Sequence, residues 1–128
     1  MARSIHVAIV DDDSSVCQAL SRLLRLMHMQ ATGYPSAEAF LADSPRPPFD
    51  CLVFDIRLGG MSGLELLSML AADRPHPPVI IVTAVDDPAL QARAEALGCA
   101  AYFNKSAPGS GVVAAIRSAT EETQRADI

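Results

Sequence analysis

Acidic residues, a threonine and a lysine each follow a short hydrophobic run of the sequence. The residues in these positions are Asp11, Asp12, Asp55, Thr83 and Lys105. If the runs are parallel strands, their carboxyl ends meet at one edge of a sheet and gather these side chains in one crevice. Mg²⁺ prefers oxygen ligands such as carboxylates, and a carboxylate can attack a phosphoryl group as a nucleophile. A lysine ammonium and a threonine hydroxyl would neutralise and orient phosphoryl oxygens. The sequence therefore predicts a site for a divalent cation and a phosphoryl group.

The elements that would hold these residues alternate between strand-like and helix-like segments. Predicted strands cover residues 5–10, 30–34, 50–54, 79–83 and 100–103. Predicted helices cover residues 14–29, 37–43, 63–72, 88–97 and about 110–122. Strands that are apolar throughout indicate a sheet covered on both faces. Five strand–helix units predict an α/β fold, a doubly wound parallel (βα)5 sheet. Right-handed crossovers favour the flavodoxin-like strand order 2-1-3-4-5.

Local signals place the ends of several helices. Ser36 is a candidate N-cap, and the segment from Ser62 to Glu65 is a capping box. Asp87 before a proline predicts the start of the fourth helix, and Gly98 predicts its end.

Length and composition predict one domain over residues 1–128, with a frayed tail or the start of a linker at about 121–128. The net charge of −5 argues against direct nucleic-acid binding by this chain. Its apolar runs are shorter than the ~20 residues that span a bilayer, so no membrane role is predicted. Three cysteines without metal-like spacing predict buried, reduced thiols and a cytoplasmic location.

The sequence closely resembles the receiver domain of two-component response regulators, the CheY-like family, from residue 4 to about residue 120. The matching segments, in order, are Val10-Asp11-Asp12-Asp13, Phe54-Asp55-Ile56-Arg57-Leu58, Met61-Ser62-Gly63-Leu64-Glu65, Val82-Thr83-Ala84 and Tyr102-Phe103-Asn104-Lys105. Residues 35–41 and 61–63 are most similar to the FixJ branch, whose members usually carry a helix-turn-helix output domain. The resemblance therefore implies transcription regulation through an output domain outside these residues.

The resemblance implies that Asp55 is the phosphoacceptor and takes its phosphoryl group from a phosphohistidine on a sensor histidine kinase. It also implies a Mg²⁺ cofactor at the same site. Asp12 would bind the ion directly and Asp11 through water, with Asp55 and the backbone carbonyl of Arg57 as further ligands.

Four other residues receive roles from the resemblance. Lys105 would pair with the phosphoryl group and with Asp55, and Thr83 with the adjoining Ala84 would stabilise and sense the phosphoryl group. Tyr102 would follow Thr83 inward from an exposed rotamer. This shift would reshape the face made by the fourth helix, fifth strand and fifth helix, through which a homodimer could form.

The chain departs from the family pattern at two places. The usual proline after the lysine is replaced by Ser106. A cis bond before serine costs ~3 kcal/mol, so we expect a trans bond and a remodelled loop up to Gly111. The position of Lys105 is left open. Gly59 replaces a second usual proline, and the Gly59-Gly60 pair predicts a looser loop.

Two alternatives stay open at this stage. A receiver-like interaction module would share the fold without accepting phosphate. An aspartyl phosphohydrolase of the haloacid-dehalogenase type would use residues 11–13 as its Asp-x-Asp motif. That enzyme needs a further acidic pair after the lysine, where only Glu121, Glu122 and Asp127 remain, and it leaves Asp55 without a role. We therefore expect a phosphoacceptor with at most self-catalysed dephosphorylation, and not an enzyme.

Overall fold

The computed structural model describes the backbone of residues 4–126 and the side chains of residues 4–123. Within this part of the chain, five strands form one parallel sheet: β1 His6–Val10, β2 Gln30–Tyr34, β3 Cys51–Phe54, β4 Val79–Thr83 and β5 Ala101–Asn104. Five helices alternate with them: α1 Ser14–Leu26, α2 Ala37–Ala42, α3 Gly63–Ala72, α4 Pro88–Ala96 and α5 Gly109–Ala126. The strand order is β2-β1-β3-β4-β5, with every neighbouring pair parallel. The predicted fold class is confirmed.

The sheet is covered on both faces, as its apolar strands predict. One buried cluster joins side chains of α2, α3 and α4, such as Phe40, Leu66 and Ala94, to one face of the sheet. The other joins Leu24 of α1 and Ile116 of α5 to the opposite face. Successive strand residues point to opposite faces, so a strand buried in both clusters has to be apolar at every position.

Three predicted helix starts are confirmed by their caps. The Ser36 hydroxyl accepts a hydrogen bond from the Ala39 N–H at 2.9 Å. Ser62 and Glu65 form a reciprocal capping box at the start of α3. The Asp87 carboxylate accepts from the Ala89 N–H at 2.9 Å.

The predicted end of the first helix is wrong. Helix α1 stops at Leu26, not at residue 29, because His28 adopts a left-handed backbone with φ 64°. The Met29 N–H then donates to the Leu24 carbonyl at 2.9 Å, a bond typical of a helix C-terminus that turns through a left-handed residue. Met29 is buried and leads into β2.

The last helix is longer than predicted. Helix α5 begins at Gly109 and continues to Ala126, past the predicted end near residue 122. The prediction of a frayed tail or linker at 121–128 stays a prediction, and its last two residues lie outside the described part of the chain.

The three cysteines are free, but only Cys51 is buried, whereas Cys17 and Cys99 are half-buried. Burial raises the pKa of the Cys51 thiol to about 12. Among the described residues, no helix is both long enough and apolar enough to cross a membrane.

Candidate functional site

The carboxyl edge of the sheet brings the predicted acidic and basic residues together. Asp11 follows β1, Asp55 follows β3 and Lys105 follows β5. The Lys105 Nζ atom lies 2.8 Å from Asp55 Oδ2 and 3.2 Å from Asp11 Oδ2. Lys105 thus reaches both carboxylates, which answers the question that the sequence left open.

The acidic residues form a cluster suited to a cation. Asp11, Asp12 and Asp55 each offer a carboxylate oxygen within 4.8 Å of the others. Asp11 and Asp55 are buried, whereas Asp12 is exposed, so the cluster opens to solvent on one side. Hard oxygen donors with an open side fit Mg²⁺, which usually keeps several waters. Asp13 is used elsewhere, because its carboxylate caps α1 through the Ser15 N–H.

Burial and charge shift the protonation of this cluster. The pKa of Asp11 is raised chiefly by burial and further by the charge of Asp55, against the Asp13 N–H and Lys105, which lower it. Burial would lower the pKa of Lys105, but its hydrogen bonds to Asp55 and Asp11 and their charges outweigh burial, so that pKa is raised. Lys105 therefore stays an ammonium at neutral pH.

The start of α3 packs tightly against the backbone of Asp55. A Cβ atom at Gly63 would lie 2.0 Å from the Asp55 carbonyl oxygen and 3.1 Å from the Ile56 Cα. The Gly63 N–H donates to the Ile56 carbonyl at 2.9 Å. The Arg57 N–H donates to Asp55 Oδ1 at 3.3 Å. Only a glycine permits this approach, so α3 directly supports the segment that carries Asp55.

The loop after Asp55 is held by a hydrogen bond that the Gly59-Gly60 pair did not predict. Gly60 has φ +85°, and the following Met61 N–H donates to Glu38 Oε2 of α2 at 2.9 Å. A Cβ atom at Gly60 would lie 2.4 Å from the same Glu38 oxygen, whereas one at Gly59 would meet nothing within 4 Å. The loop is therefore tied to α2 at its far end and open at Gly59.

The predicted switch residues lie beside the cluster. Thr83 is fully buried at the end of β4, and its Oγ1 accepts a hydrogen bond from the Val85 N–H at 3.2 Å. Ala84 is exposed. Tyr102 is half-buried, and its hydroxyl donates to the Val85 carbonyl at 3.3 Å. The pKa of Tyr102 is raised by burial and by the charges of Asp87 and Asp86. Thr83 and Tyr102 thus contact the same residue, Val85, from two strands.

The turn after β5 has the expected trans geometry at Ser106. The cis peptide bonds of the described chain precede Pro45 and Pro75, so the Lys105–Ser106 bond is trans. Helix α5 begins at Gly109, close to the predicted start at about residue 110, so the loop is shorter than the one expected up to Gly111.

Comparisons with known proteins agree with the fold. A family model described as the response regulator receiver domain matches residues 7–117. Transcriptional regulatory protein FixJ of Azorhizobium caulinodans is 37% identical over 117 residues, covering 91% of this chain and 56% of that protein. Response regulator protein TodT of Pseudomonas putida F1 is 32% identical, covering 91% and 52%. The chain therefore spans about half the length of these relatives.

Solved structures show the same architecture. The crystal structure of FixJ-N superposes with a TM-score of 0.84 at 32% identity, covering 94% of this chain and 96% of that chain. A CheY-like receiver domain protein from Methanospirillum hungatei JF-1 superposes with a TM-score of 0.88 at 24% identity, covering 96% and 98%. The latter is evidence for the fold alone.

A doubly wound sheet with carboxylates and a lysine at its carboxyl edge is the architecture of a receiver. The chain belongs to the response regulator receiver domain family. It is a receiver domain of a two-component response regulator, with FixJ among its relatives.

Sequence reasoning located the carboxylates and the lysine but not the contacts that support them. Glu38 and Met61 lie 23 positions apart, and no local pattern signals their hydrogen bond. The close approach of Gly63 depends on the angle at which α3 packs on β3. Asn104 is a residue that the sequence could have pointed to. An asparagine at the end of a strand often closes a turn with its own side chain.

Proposed function

We propose that Asp55 accepts a phosphoryl group from a phosphohistidine of a sensor histidine kinase. A carboxylate oxygen of Asp55 attacks phosphorus and forms an O–P bond. The P–N bond to the histidine breaks, and the departing imidazole nitrogen keeps the electron pair. Later attack by water on phosphorus would release inorganic phosphate and restore the carboxylate. The single observation that carries this proposal is the ammonium of Lys105 lying 2.8 Å from an Asp55 oxygen inside a metal-competent acidic cluster.

The donor set of the cluster fits Mg²⁺ as cofactor. Asp11, Asp12 and Asp55 would hold the ion, with the backbone carbonyl of Arg57 as a further ligand. Bound Mg²⁺ supplies positive charge that offsets the carboxylates and the incoming phosphoryl oxygens. Without it, three carboxylates face a single ammonium.

Lys105, Thr83 and Ala84 would contact the phosphoryl group once it is in place. The Lys105 ammonium is already oriented by two carboxylates and stays charged at neutral pH. The Thr83 hydroxyl is bonded to the Val85 N–H, and turning it toward the phosphoryl group would release that bond. Because Tyr102 binds the carbonyl of Val85, this release gives a physical route from the phosphoryl group to Tyr102.

The response would appear on the α4-β5-α5 face, which would bind a second copy or an output domain. By analogy with the regulators that it resembles, the complete protein would regulate transcription in the cytoplasm. The described chain would act as an acceptor of phosphate and not as an enzyme. Residues 1–128 would form one receiver unit, with DNA binding left to a separate domain.

Beryllofluoride, which mimics a phosphoryl group on a carboxylate, tests this function. With Mg²⁺ present, we expect it to shift the amide resonances of Thr83, Ala84 and Tyr102 in the wild-type protein. Asp55→Asn keeps the size of the side chain but removes the anionic oxygen, so it should show no shift. Absence of a shift in the wild type, or an equal shift in Asp55→Asn, would contradict the proposal.

A further inference from the structure

The turn that follows β5 is closed by the side chain of Asn104. Its Oδ1 atom accepts hydrogen bonds from the Ser106 N–H at 2.9 Å and from the Ser106 hydroxyl at 2.8 Å. The Ala107 N–H donates to the Asn104 carbonyl at 2.9 Å. Both the backbone and the side chain of Asn104 thus close the same four-residue turn around Lys105.

Lys105 is fixed on the other side by the sheet. Its N–H donates to the Thr83 carbonyl at 2.9 Å, one step beyond the β4–β5 ladder. The backbone of Lys105 is therefore held by β4 at its nitrogen and by the Asn104 turn beyond its carbonyl. A lysine side chain has four flexible bonds and loses much entropy when it is immobilised. Because the backbone of Lys105 is already fixed, less conformational entropy is lost when its side chain is ordered against the carboxylates.

The hydrogen bonds of the Asn104 side chain are not a consequence of burial in the core. Asn104 and Ser106 are both exposed, and exposed side chains can satisfy their hydrogen bonds with water. Two bonds to one acceptor at an exposed site therefore indicate a defined local geometry.

We infer that Asn104 is a positioning residue, which holds Lys105 toward Asp55 and Asp11 through its turn with Ser106. The inference rests on the proposed function for its consequence, a faster transfer of the phosphoryl group to Asp55. Among the described residues, the Asn104 side chain makes no hydrogen bond to Asp11 or Asp55, so it would act through Lys105.

The test measures the rate of Asp55 phosphorylation by acetyl phosphate with Mg²⁺. Asn104→Ala should slow it about three- to tenfold, the factor expected for losing one or two neutral hydrogen bonds. Asn104→Asp keeps an acceptor oxygen in the same place and closes similar turns, so its rate should stay within about twofold of wild type.

A double substitution separates positioning from a merely structural role. In a Lys105→Met background, Asn104→Ala should cause no further slowing, because no ammonium remains to be positioned. An equal slowing in both backgrounds, or a wild-type rate for Asn104→Ala, would overturn the inference. If Asn104→Ala does not fold, Ser106→Ala replaces it, with about twofold slowing expected from one lost bond and an unchanged rate overturning the inference.

A second readout does not need phosphorylation. Side-chain relaxation of the Lys105 Cε group should report restricted motion in the wild type and freer motion in Asn104→Ala. Equal motion in the two proteins would overturn the inference. A wild type with restricted Lys105 that accepts no phosphoryl group would instead contradict the proposed function alone.

Discussion

At the scale of single residues, the site balances buried carboxylates against one ammonium. Asp11 and Asp55 are buried beside each other, and Lys105 contacts both. Burial of carboxylates is unfavourable unless a cation accompanies them. Despite Lys105, burial raises the pKa of Asp11, so the ionised Asp11 lowers the stability of the metal-free protein.

Replacing Asp11 tests this balance. Because burial raises the pKa of Asp11, its ionised form weakens the folded state at every pH above that raised pKa. We expect Asp11→Asn, in chelator-treated protein near pH 7, to raise Tm by about 2–5 °C, as a gain of roughly 1 kcal/mol would in a domain of this size. The gain should shrink as the pH falls below the raised pKa, and vanish below the ordinary pKa of an aspartate.

Asp12→Asn is the matched control, because it removes the same charge from an exposed position. Its effect on Tm should be smaller, although both variants should bind Mg²⁺ more weakly. Thermal denaturation at several pH values measures the Tm of both variants. An Asp11→Asn variant that melts at or below the wild-type temperature would contradict the account.

At the scale of elements, two contacts hold the segment after β3. Gly63 lets α3 approach the Asp55 carbonyl, and Glu38 of α2 accepts the Met61 N–H. The segment that carries Asp55 is thus supported by one helix and hydrogen-bonded to another.

Gly63→Ala should damage both stability and function. The added methyl group would meet backbone atoms of Asp55 and Ile56, which cannot move aside as a flexible side chain can. We expect a loss of about 1–3 kcal/mol in the free energy of unfolding and slower phosphorylation of Asp55.

Gly59→Ala offers a matched control four residues earlier, where the added methyl group meets nothing within 4 Å. It should leave stability unchanged or raise it by about 0.4–1 kcal/mol through the unfolded chain. Urea denaturation compares the two. Equal losses for both variants would show that the packing at Gly63 is not the cause.

Removing the Glu38 carboxylate should loosen the loop that ends at Met61. The pKa of Glu38 is lowered, first because its carboxylate accepts the Met61 N–H. A lowered pKa means that the contact is complete above the ordinary pKa of a glutamate and is lost as the pH falls through the lowered value. We expect Glu38→Ala to speed hydrogen exchange of the Met61 amide about three- to tenfold at neutral pH, as loss of one hydrogen bond would.

Glu95→Ala removes the same charge from an exposed position on α4 and should leave the Met61 amide unchanged. If Met61 exchanged equally fast in the wild type and in Glu38→Ala, the hydrogen bond would not restrain the loop.

At the scale of the whole molecule, the fold follows from patterns that are local in sequence. Mostly apolar strands predicted the covered sheet, right-handed crossovers predicted the strand order, and capping residues predicted most helix starts. The end of α1 was missed because Met27 and Met29 continue the apolar pattern through the left-handed turn at His28. The resemblance implied that Lys105 pairs with Asp55, but whether Lys105 reaches the site could not be predicted, because this depends on how β5 turns into α5.

The α4-β5-α5 face is where a change in association is expected. Helix α4 buries only Ala94 among its residues, so few core contacts would oppose its movement. Light scattering with Mg²⁺ and beryllofluoride should report about twice the monomer mass for the wild type, whereas Asp55→Asn stays at the monomer mass. An unchanged mass for the wild type would contradict phosphorylation-dependent dimerisation.

The central claim is that Asp55 itself carries the phosphoryl group. After treatment with acetyl phosphate and Mg²⁺, borohydride reduction converts an acyl phosphate into a stable alcohol, which peptide mass spectrometry can locate. The account predicts the reduced residue at position 55 and none in Mg²⁺-free samples. A modification at Asp11 or Asp12, as an aspartyl phosphohydrolase would give, or none anywhere in the chain, would contradict it.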